Sequence, residues 1–267
     1  MNISKPFLRW AGGKNWFVKH LRDFIPKEFR NYHEPFLGGG SIFLAIDPKQ
    51  KAFLSDLNPE LIATYETLKT SVDDIIATLR RYNNTEDFYY WIRAQQFKDP
   101  AEKASRFIFL NQTSFNGIYR VNLKGVYNVP YGRRTKPFLD ENALRTASDR
   151  LKNAELFSGD FTKAKQNIGA NDLIFLDPPY VVSHNSNGFI KYNQKLFSLD
   201  DQYRLSSLID SIKSKGAYYV LTNAAHHKIV EIFSKDDKVV ALERANLIGG
   251  LNAKRGQTTE YIFTNVR

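Results

Sequence analysis

Leu173-Ile174-Phe175-Leu176-Asp177-Pro178-Pro179-Tyr180 is the stretch on which the reading of this chain turns. Its opening apolar run suits a strand buried on both faces of a parallel sheet. The two prolines stop that strand, since neither has an N–H to give to a ladder. A carboxylate, two carbonyls and an aromatic ring are thereby left at the carboxyl end of a central strand, where open α/β sheets hold their ligands. The combination reads as a pocket that holds an amino group and stacks a flat ring.

The chain has 267 residues and a formal net charge of +10. That length allows one large domain or two modest ones. The positive balance, in a chain not short of acids, favours a polyanionic partner such as nucleic acid. Cysteine is absent, which excludes disulfides, a thiolate nucleophile and a cysteine-ligated zinc. No apolar run reaches the roughly 20 residues of a membrane span. Met1 to Pro6 has no apolar signal region, so a cytoplasmic setting is the default expectation. The many Phe and Tyr serve core packing, stacking on bases, or both.

Upstream, Phe7-Leu8-Arg9-Trp10-Ala11-Gly12-Gly13-Lys14 has the outline of a phosphate loop, but Asn15 stands where the fingerprint needs Ser or Thr. Nucleotide hydrolysis is discounted on that ground. A Gly-Gly turn beside a Trp and a Lys is either an ordinary N-terminal turn or a cover over an adenine- or carboxylate-bearing cofactor. Tyr32 to Phe36 reads as a short strand running into Gly38-Gly39-Gly40, with an apolar helix after Ser41. Consecutive glycines let the backbone take positive φ and pass close to a ligand, and the helix start offers N–H groups. The dinucleotide fingerprint is not met, because Phe43 occupies the place of its third glycine. A second strand, Lys51 to Ser55, ends in Asp56-Leu57-Asn58-Pro59. An acid about twenty residues beyond a glycine turn grips two ribose hydroxyls in dinucleotide-binding folds. Asp56 or Asn58 as the cap of the next helix is the plainer reading.

From Glu60 to Lys152 the pattern changes. Helical periodicity covers Leu61 to Leu68, Val72 to Tyr82, Phe88 to Phe97 and Ala101 to Leu110, with no strand between them. Helices in series do not continue a βαβ alternation. Residues 60–149 are therefore expected as an inserted, mainly helical domain, and 1–59 with 150–267 as the catalytic α/β domain it interrupts. Within the insert, Asn111 to Arg134 alternates around Asn116-Gly117 and Lys124-Gly125, the pattern of a β-hairpin with loops. No Asp or Glu occurs between Glu102 and Asp140, while Arg, Lys, Asn and aromatics are frequent. Such groups bind phosphates, read base edges and wedge between bases; a solvated basic loop has the same composition.

The sheet resumes at Ala154 to Ser158, and Gly159-Asp160-Phe161 offers a carboxylate to an adenine amino group and a ring to stack on it. Val181 to Phe197, rich in Ser, Asn, Gly and Lys, is expected as a mobile loop over the site. Ser198-Leu199-Asp200-Asp201 matches a capping box that opens a helix running to about Lys213. Tyr218 to Thr222 is a buried strand, and His226 and His227 after it are expected to point apart without a metal role. Val239 to Arg244 and Thr259 to Thr264 close the chain as a hairpin around Gly249-Gly250 and Lys254-Arg255-Gly256.

Taken in order, a glycine-rich turn, an inserted basic domain and then Asp177-Pro178-Pro179-Tyr180 resemble the DNA adenine-N6 methyltransferases of the alpha-order group. This is the D12 class, which includes the adenine methylase acting on GATC. The resemblance covers nearly the whole chain. It implies an α/β, Rossmann-like fold dependent on S-adenosylmethionine, with a mostly parallel sheet and a terminal antiparallel hairpin. It also implies an inserted, mainly helical DNA-recognition domain carrying a β-hairpin. Trp10, Ala11, Gly12 and Lys14 fall on the family's cofactor-covering segment. Phe36, Gly38, Gly40 and Ser41 fall on its glycine turn, Asp56 on its ribose-binding acid, and Asp160 with Phe161 on its adenine-binding pair. Asp177 belongs to the cofactor pocket as well as to the catalytic motif. Phe115 to Arg120 and Asn128 to Arg133 are similar to the target-reading hairpin. The DNA contacts so implied are Phe115, Asn116, Ile118, Arg120, Asn122, Lys124, Asn128, Pro130, Arg133 and Arg134, with Arg9 at the target's flank. Phe115 stands where the GATC enzyme has Tyr, and Arg9 where it has Lys, which leaves GATC and other sites containing GAT open.

In the chemistry this implies, the Asp177 carboxylate and the Pro178 carbonyl accept the two hydrogens of an adenine amino group while Tyr180 stacks on the base. Reaching such a pocket requires the base to be flipped out of the duplex. The implied partner is double-stranded DNA, with or without a cognate restriction endonuclease acting on the same site. The implied state is a cytoplasmic monomer of a bacterium or phage, without a metal. Pro-Pro-Tyr sites also suit the amino groups of RNA adenine and of a protein glutamine amide, which is the alternative reading. A DNA-binding module without turnover is a further one, against which Asp56, Asp160 and Asp177 together argue.

Overall fold

The computed structural model describes residues 5–180, 197–245 and 257–267. The expected loop from Val181 lies outside the described residues up to Phe197, as do Gly249-Gly250 and Lys254-Arg255-Gly256. The strands are β1 (Tyr32–Glu34), β2 (Ala52–Asp56), β3 (Ala154–Ser158), β4 (Leu173–Leu176), β5 (Tyr218–Ala224), β6 (Lys238–Ala245) and β7 (Gln257–Thr264). They form a 7-stranded sheet in the order β3-β2-β1-β4-β5-β7-β6. β4 is parallel to β1 and to β5. β7 is antiparallel to β5 and to β6, so the terminal hairpin inserts its last strand next to the parallel part. The fold is the expected mixed α/β class. Strand order reverses between β1 and β4, and such a switch point is where open sheets leave a crevice at the strands' carboxyl ends.

All four residues of β4 are buried. At its amino end Asp172, itself fully buried, collects Arg30 Nε at 3.0 Å, the Asn31 N–H at 3.1 Å, His33 Nε2 at 2.9 Å and the Gly169 N–H at 2.8 Å. These bonds tie the start of β1 to the start of β4 and fix their register, in which Tyr32 faces Leu173.

The chain divides into two compact units. The first comprises Met1–Asn15, Leu37–Lys49 and Leu54–Gly159. It holds α1 (Ser41–Ile46), α2 (Pro59–Thr70), α3 (Val72–Leu79), α4 (Glu86–Ala94), α5 (Pro100–Thr113) and α6 (Glu141–Leu151). The four helical periodicities expected between Glu60 and Lys152 thus appear as α2 to α5, and α6 is an addition. Side-chain caps set these starts: Asn58 accepts from Glu60 and Leu61, Asp99 from Glu102 and Asp140 from Ala143, with Pro59 and Pro100 in first turns. α5 packs against α2 and α3 and buries polar as well as apolar groups near its end. Asn111 Oδ1 accepts from the Arg9 N–H at 2.8 Å and its Nδ2 donates to the Arg9 carbonyl at 2.6 Å; Gln112 Nε2 donates to the Phe7 carbonyl at 2.6 Å. This amide pair holds residues 7–9 as a β-neighbour would.

The second unit comprises Trp16–Phe36, Gln50–Phe53 and Asp160–Arg267. Its core joins Ile174 and Leu176 of β4, Tyr219 and Leu221 of β5 and Phe263 of β7 to Leu205 and Ile209 of α7 (Leu199–Ser214) and Phe233 of α8 (His227–Phe233). The Ser198 capping box is formed in both directions with Asp201. His226 and His227 depart from expectation. Their ring centroids lie 4.2 Å apart, because His226 is an extended N-cap residue whose ring turns back to accept from the Lys228 N–H.

Burial pushes the Asp172 carboxyl up, but the bonds from His33, Arg30, Gly169 and Asn31 outweigh it and hold the group at about 2 instead of 3.8. A carboxyl held below its ordinary value stabilises the fold above that value and loses the effect as pH falls through the folded one. Urea unfolding should therefore show about 2 kcal/mol of stability lost between pH ~4 and ~2. Asp172→Asn should flatten that window and weaken the protein at pH 7. An unchanged acid profile in the variant would move the effect to another carboxylate.

Candidate active site

In the first unit the glycine turn, Asp56 and Trp10 form one cluster. Gly38 and Gly40 have φ of +48° and +67°, the left-handed region that favours glycine. Asp56, at the end of β2, accepts from the Gly38 N–H on Oδ2 at 2.9 Å and from the Asn58 N–H on Oδ1 at 3.0 Å. The choice left open between Asp56 and Asn58 is thereby resolved: Asn58 caps α2, and Asp56 braces the glycine turn. Burial pushes the Asp56 carboxyl up, and the N–H groups of Asn58, Gly38 and Leu57 oppose it. The Trp10 indole covers the turn so closely that a Cβ on Gly38 would stand 2.7 Å from Trp10 Cδ1. Tyr65, from α2, donates to the Gly38 carbonyl at 3.1 Å and closes the turn from below. Ser41 is buried, Lys14 is buried with Nζ 3.1 Å from the Gly12 carbonyl, and Ala11 and Gly12 are exposed.

Trp10 also stacks on Tyr119, with centroids 5.9 Å apart and planes 24° apart, and Tyr119 donates to Glu60 Oε2 at 2.8 Å. Tyr119 thus links the expected DNA hairpin to the segment expected over the cofactor. Sequence reasoning gave it no role.

The hairpin itself has few ladder bonds. Isolated antiparallel bridges join Ser114 to Tyr131 and Val121 to Tyr127. A turn at Asn122–Gly125 is closed by the Gly125 N–H on the Asn122 carbonyl at 2.9 Å, and Asn122 Oδ1 accepts from Lys124 and Val126. Phe115 is 52% exposed and Leu123, at the tip, is fully so. Asn116, Lys124 and Pro130 are exposed, and Ile118 is half-buried. Arg120 lies flat against the opposite strand, with Nε 2.8 Å from Asn128 Oδ1 and Nη2 3.2 Å from its carbonyl. Arg133 pairs with Glu86 at 3.3 Å and Arg134 donates to Gln112 Oε1 at 2.7 Å. Arg9 sits under the hairpin, its Nη1 donating to the carbonyls of Gln112 and Ser114 at 3.2 and 3.3 Å. A Cβ on Gly117 would stand 2.5 Å from Arg9 Cβ.

In the second unit polar groups gather after β4 and near the end of β5. Asp177 follows β4, and Thr222 follows its β5 neighbour Leu221, so the Thr222 hydroxyl donates to Asp177 Oδ1 at 2.7 Å. Pro178 is buried, Pro179 exposed and Tyr180 half-buried, its hydroxyl donating to Glu260 Oε2 at 2.5 Å. Burial and the carboxylates of Asp177 and Glu260 hold the Tyr180 phenol well above its ordinary value, so it stays a donor. Phe36 and Phe161 come together, with centroids 5.3 Å apart, and Phe197 packs against both. Asp160 Oδ1 accepts from the Thr162 N–H at 3.0 Å and from Arg204 Nη2 at 2.7 Å, and that guanidinium lies 5.1 Å over the Phe161 ring. Among the described residues no group of His, Cys, Asp and Glu is placed to hold a metal ion, and no helix is long and apolar enough to cross a membrane.

Thr222, Arg204, Phe197, Glu260 and Arg244 carry no motif. For two of these a signal was available, a polar residue inside an apolar strand: Thr222 after Val220-Leu221 and Glu260 before Tyr261-Ile262-Phe263.

A mostly parallel sheet whose strand order reverses between β1 and β4 defines a mixed α/β protein, of the class whose ligands are held at the strand ends. The chain matches the model of the D12 class N6 adenine-specific DNA methyltransferases over residues 10–247. It is 33% identical to the type II methyltransferase M1.LlaDCHI of Lactococcus lactis subsp. cremoris, over 98% of this chain and 95% of that protein. It is 35% identical to the type II methyltransferase M.MjaIII of Methanocaldococcus jannaschii, over 86% and 87%, and 33% identical to the DNA adenine methylase of Vibrio cholerae serotype O1, over 84% and 82%. The chain belongs to the D12 class and is an adenine-specific DNA methyltransferase.

Replacing Gly38 by Ala combines a left-handed backbone with a collision against Trp10, so Gly38→Ala should cost about 1–3 kcal/mol in chemical unfolding. In a Trp10→Ala background the steric part disappears and the cost should shrink. Equal losses in both backgrounds would leave backbone strain as the whole cause.

Proposed function

We propose that this enzyme transfers a methyl group from S-adenosylmethionine to N6 of an adenine flipped out of duplex DNA, within GATC or another site containing GAT. The observation that carries the reading is Asp177-Pro178-Pro179-Tyr180 at the switch-point end of β4, with Asp177 aligned by Thr222.

The residues present fit the cofactor. Asp56 beside the glycine turn suits ribose hydroxyls, and Trp10, Ala11, Gly12, Lys14, Gly38, Gly40 and Ser41 are assigned to the same half of the molecule. Phe36 and Phe161, with Asp160, suit an adenine ring and its amino group. When bound, S-adenosylmethionine supplies an electrophilic methyl on a sulfonium. What the chain supplies is position. An adenine N6 lone pair is delocalised into the ring, and the nitrogen is a poor nucleophile. The Asp177 carboxylate and the Pro178 carbonyl each accept one of its hydrogens and draw it toward tetrahedral geometry. Tyr180 stacks on the base and holds it in line. Phe115 wedges into the stack the base has left. The Arg120 guanidinium, oriented by Asn128, reads a guanine edge, and Asn122, Asn116, Ile118 and Pro130 complete the base-facing surface. Lys124, Arg133 and Arg134 meet phosphate, and Arg9 braces the hairpin from below while facing the target's flank. Residues 60–149 are assigned as the target-recognition domain, in an enzyme that works in the cytoplasm of a bacterium or on behalf of a phage.

Labelled-methyl transfer to duplex DNA, RNA and protein substrates tests the whole reading, and DNA alone should be labelled. Asp177→Ala should abolish transfer and leave DNA affinity intact; turnover in that variant would remove the acceptor role. Arg120→Ala should cost about 1–3 kcal/mol of discrimination at one base pair. A uniform loss over all sequences, with a shallower salt dependence of binding, would instead make Arg120 a phosphate contact.

A further inference from the structure

Tyr180 is held by residues outside every motif. Its hydroxyl donates to Glu260 Oε2 at 2.5 Å, and Arg244 Nε donates to Glu260 Oε1. Glu260 is fully buried, on β7, while the Arg244 side chain on β6 is 19% exposed. Strand register places them. Glu260 faces Ala224 on one side and Leu242 on the other, and Arg244 faces Thr258, so Arg244 and Glu260 are diagonal neighbours on one face. Thr222, on the adjoining β5, holds Asp177 at 2.7 Å in the same way. Both polar side chains of the motif are therefore gripped from the strands that follow it in the sheet.

A buried ion pair is weak ground for stability, because desolvating both charges offsets most of their attraction and an apolar pair of equal volume serves as well. Here the carboxylate does something an apolar pair cannot: one oxygen takes the arginine and the other is presented to the phenol. A tyrosine ring moves about two side-chain torsions, and a tether at its far end restricts both. A ring already fixed in plane loses less freedom when a base is laid on it.

We propose that Glu260, with its charge balanced by Arg244, is a positioning residue for methyl transfer that holds the Tyr180 hydroxyl and so sets the plane against which the target adenine stacks. The proposal rests on the stacking role given to Tyr180 above. The test uses the full-length enzyme with Tyr180→Phe, Glu260→Gln, both together, and Tyr180→Ala. Each is measured for single-turnover methyl transfer, for DNA Kd, and for the fluorescence of 2-aminopurine at the target position, which a stacked ring quenches. Tyr180→Phe and Glu260→Gln should each slow transfer by about tenfold, with DNA Kd unchanged and brighter fluorescence. The double variant should be no slower than the slower single one, since the Gln amide has one acceptor oxygen for two donors and its effect reaches the base only through the Tyr180 hydroxyl. Wild-type transfer by Tyr180→Phe overturns the proposal, and so does an additive double variant. Tyr180→Ala separates the two readings. Transfer lost there but kept in Tyr180→Phe removes the tether alone, whereas transfer kept in Tyr180→Ala removes the stacking role itself. Should Glu260→Gln fail to fold, Tyr180→Phe decides by itself, because it keeps the ring and deletes only the hydroxyl.

Discussion

A strand buried on both faces tolerates ionisable groups only at its ends, and β4 has one at each. Asp172 precedes the run Leu173–Leu176 and Asp177 follows it. Both carboxylates are fixed by donors from neighbouring strands or their flanks, yet their surroundings differ in kind. Asp172 is enclosed by backbone N–H groups, a histidine and an arginine, and its chemistry is exhausted in holding β1 beside β4. Asp177 has a hydroxyl for its partner from β5 and stands next to two residues without an N–H. The prolines keep the strand from continuing, so the groups after Leu176 are left at the sheet's end instead of being drawn into its ladder. One end of the strand serves folding and the other is available for chemistry, and the apolar run between them keeps the two apart.

This explains which parts of the protein were legible in its sequence. The apolar run, the glycine cluster and the capping residues are local, and each of them was found where its pattern placed it: β4, the turn at Gly38 and Gly40, the box at Ser198. Helices α2 to α5 follow from periodicity, whereas α6 answers to none of the helical stretches read from the sequence. What the pattern does not reveal is any contact that depends on strand order. Thr222 meets Asp177 only because β5 neighbours β4, and Glu260 meets Tyr180 only because β7 enters between β5 and β6. No spacing in the sequence encodes that order. The two histidines illustrate a smaller failure: adjacent helical residues diverge, but His226 is a cap and not yet helical.

The hairpin obeys a different logic. A sheet end is rigid because its donors and acceptors are paired along whole strands, whereas Phe115 to Arg134 is held by isolated bridges, an Asx turn and a few side chains. Its firmness comes from beneath. Asn111 and Gln112, at the buried end of α5, bind the backbone of residues 7–9, and Arg9 then binds the carbonyls from which the hairpin departs. Gly117 has no side chain to push that arginine away. The base of the hairpin is thus fixed while its tip, at Leu123 and Lys124, remains exposed. Such an arrangement lets residues at the tip change without disturbing the fold, because nothing in the core leans on them. It also joins the hairpin to the glycine turn through aromatic contacts, Tyr119 stacking on Trp10 and Phe107 touching both rings. Because Trp10 also lies over Gly38, a shift of the hairpin would be felt at the turn that Asp56 braces, within the same compact unit.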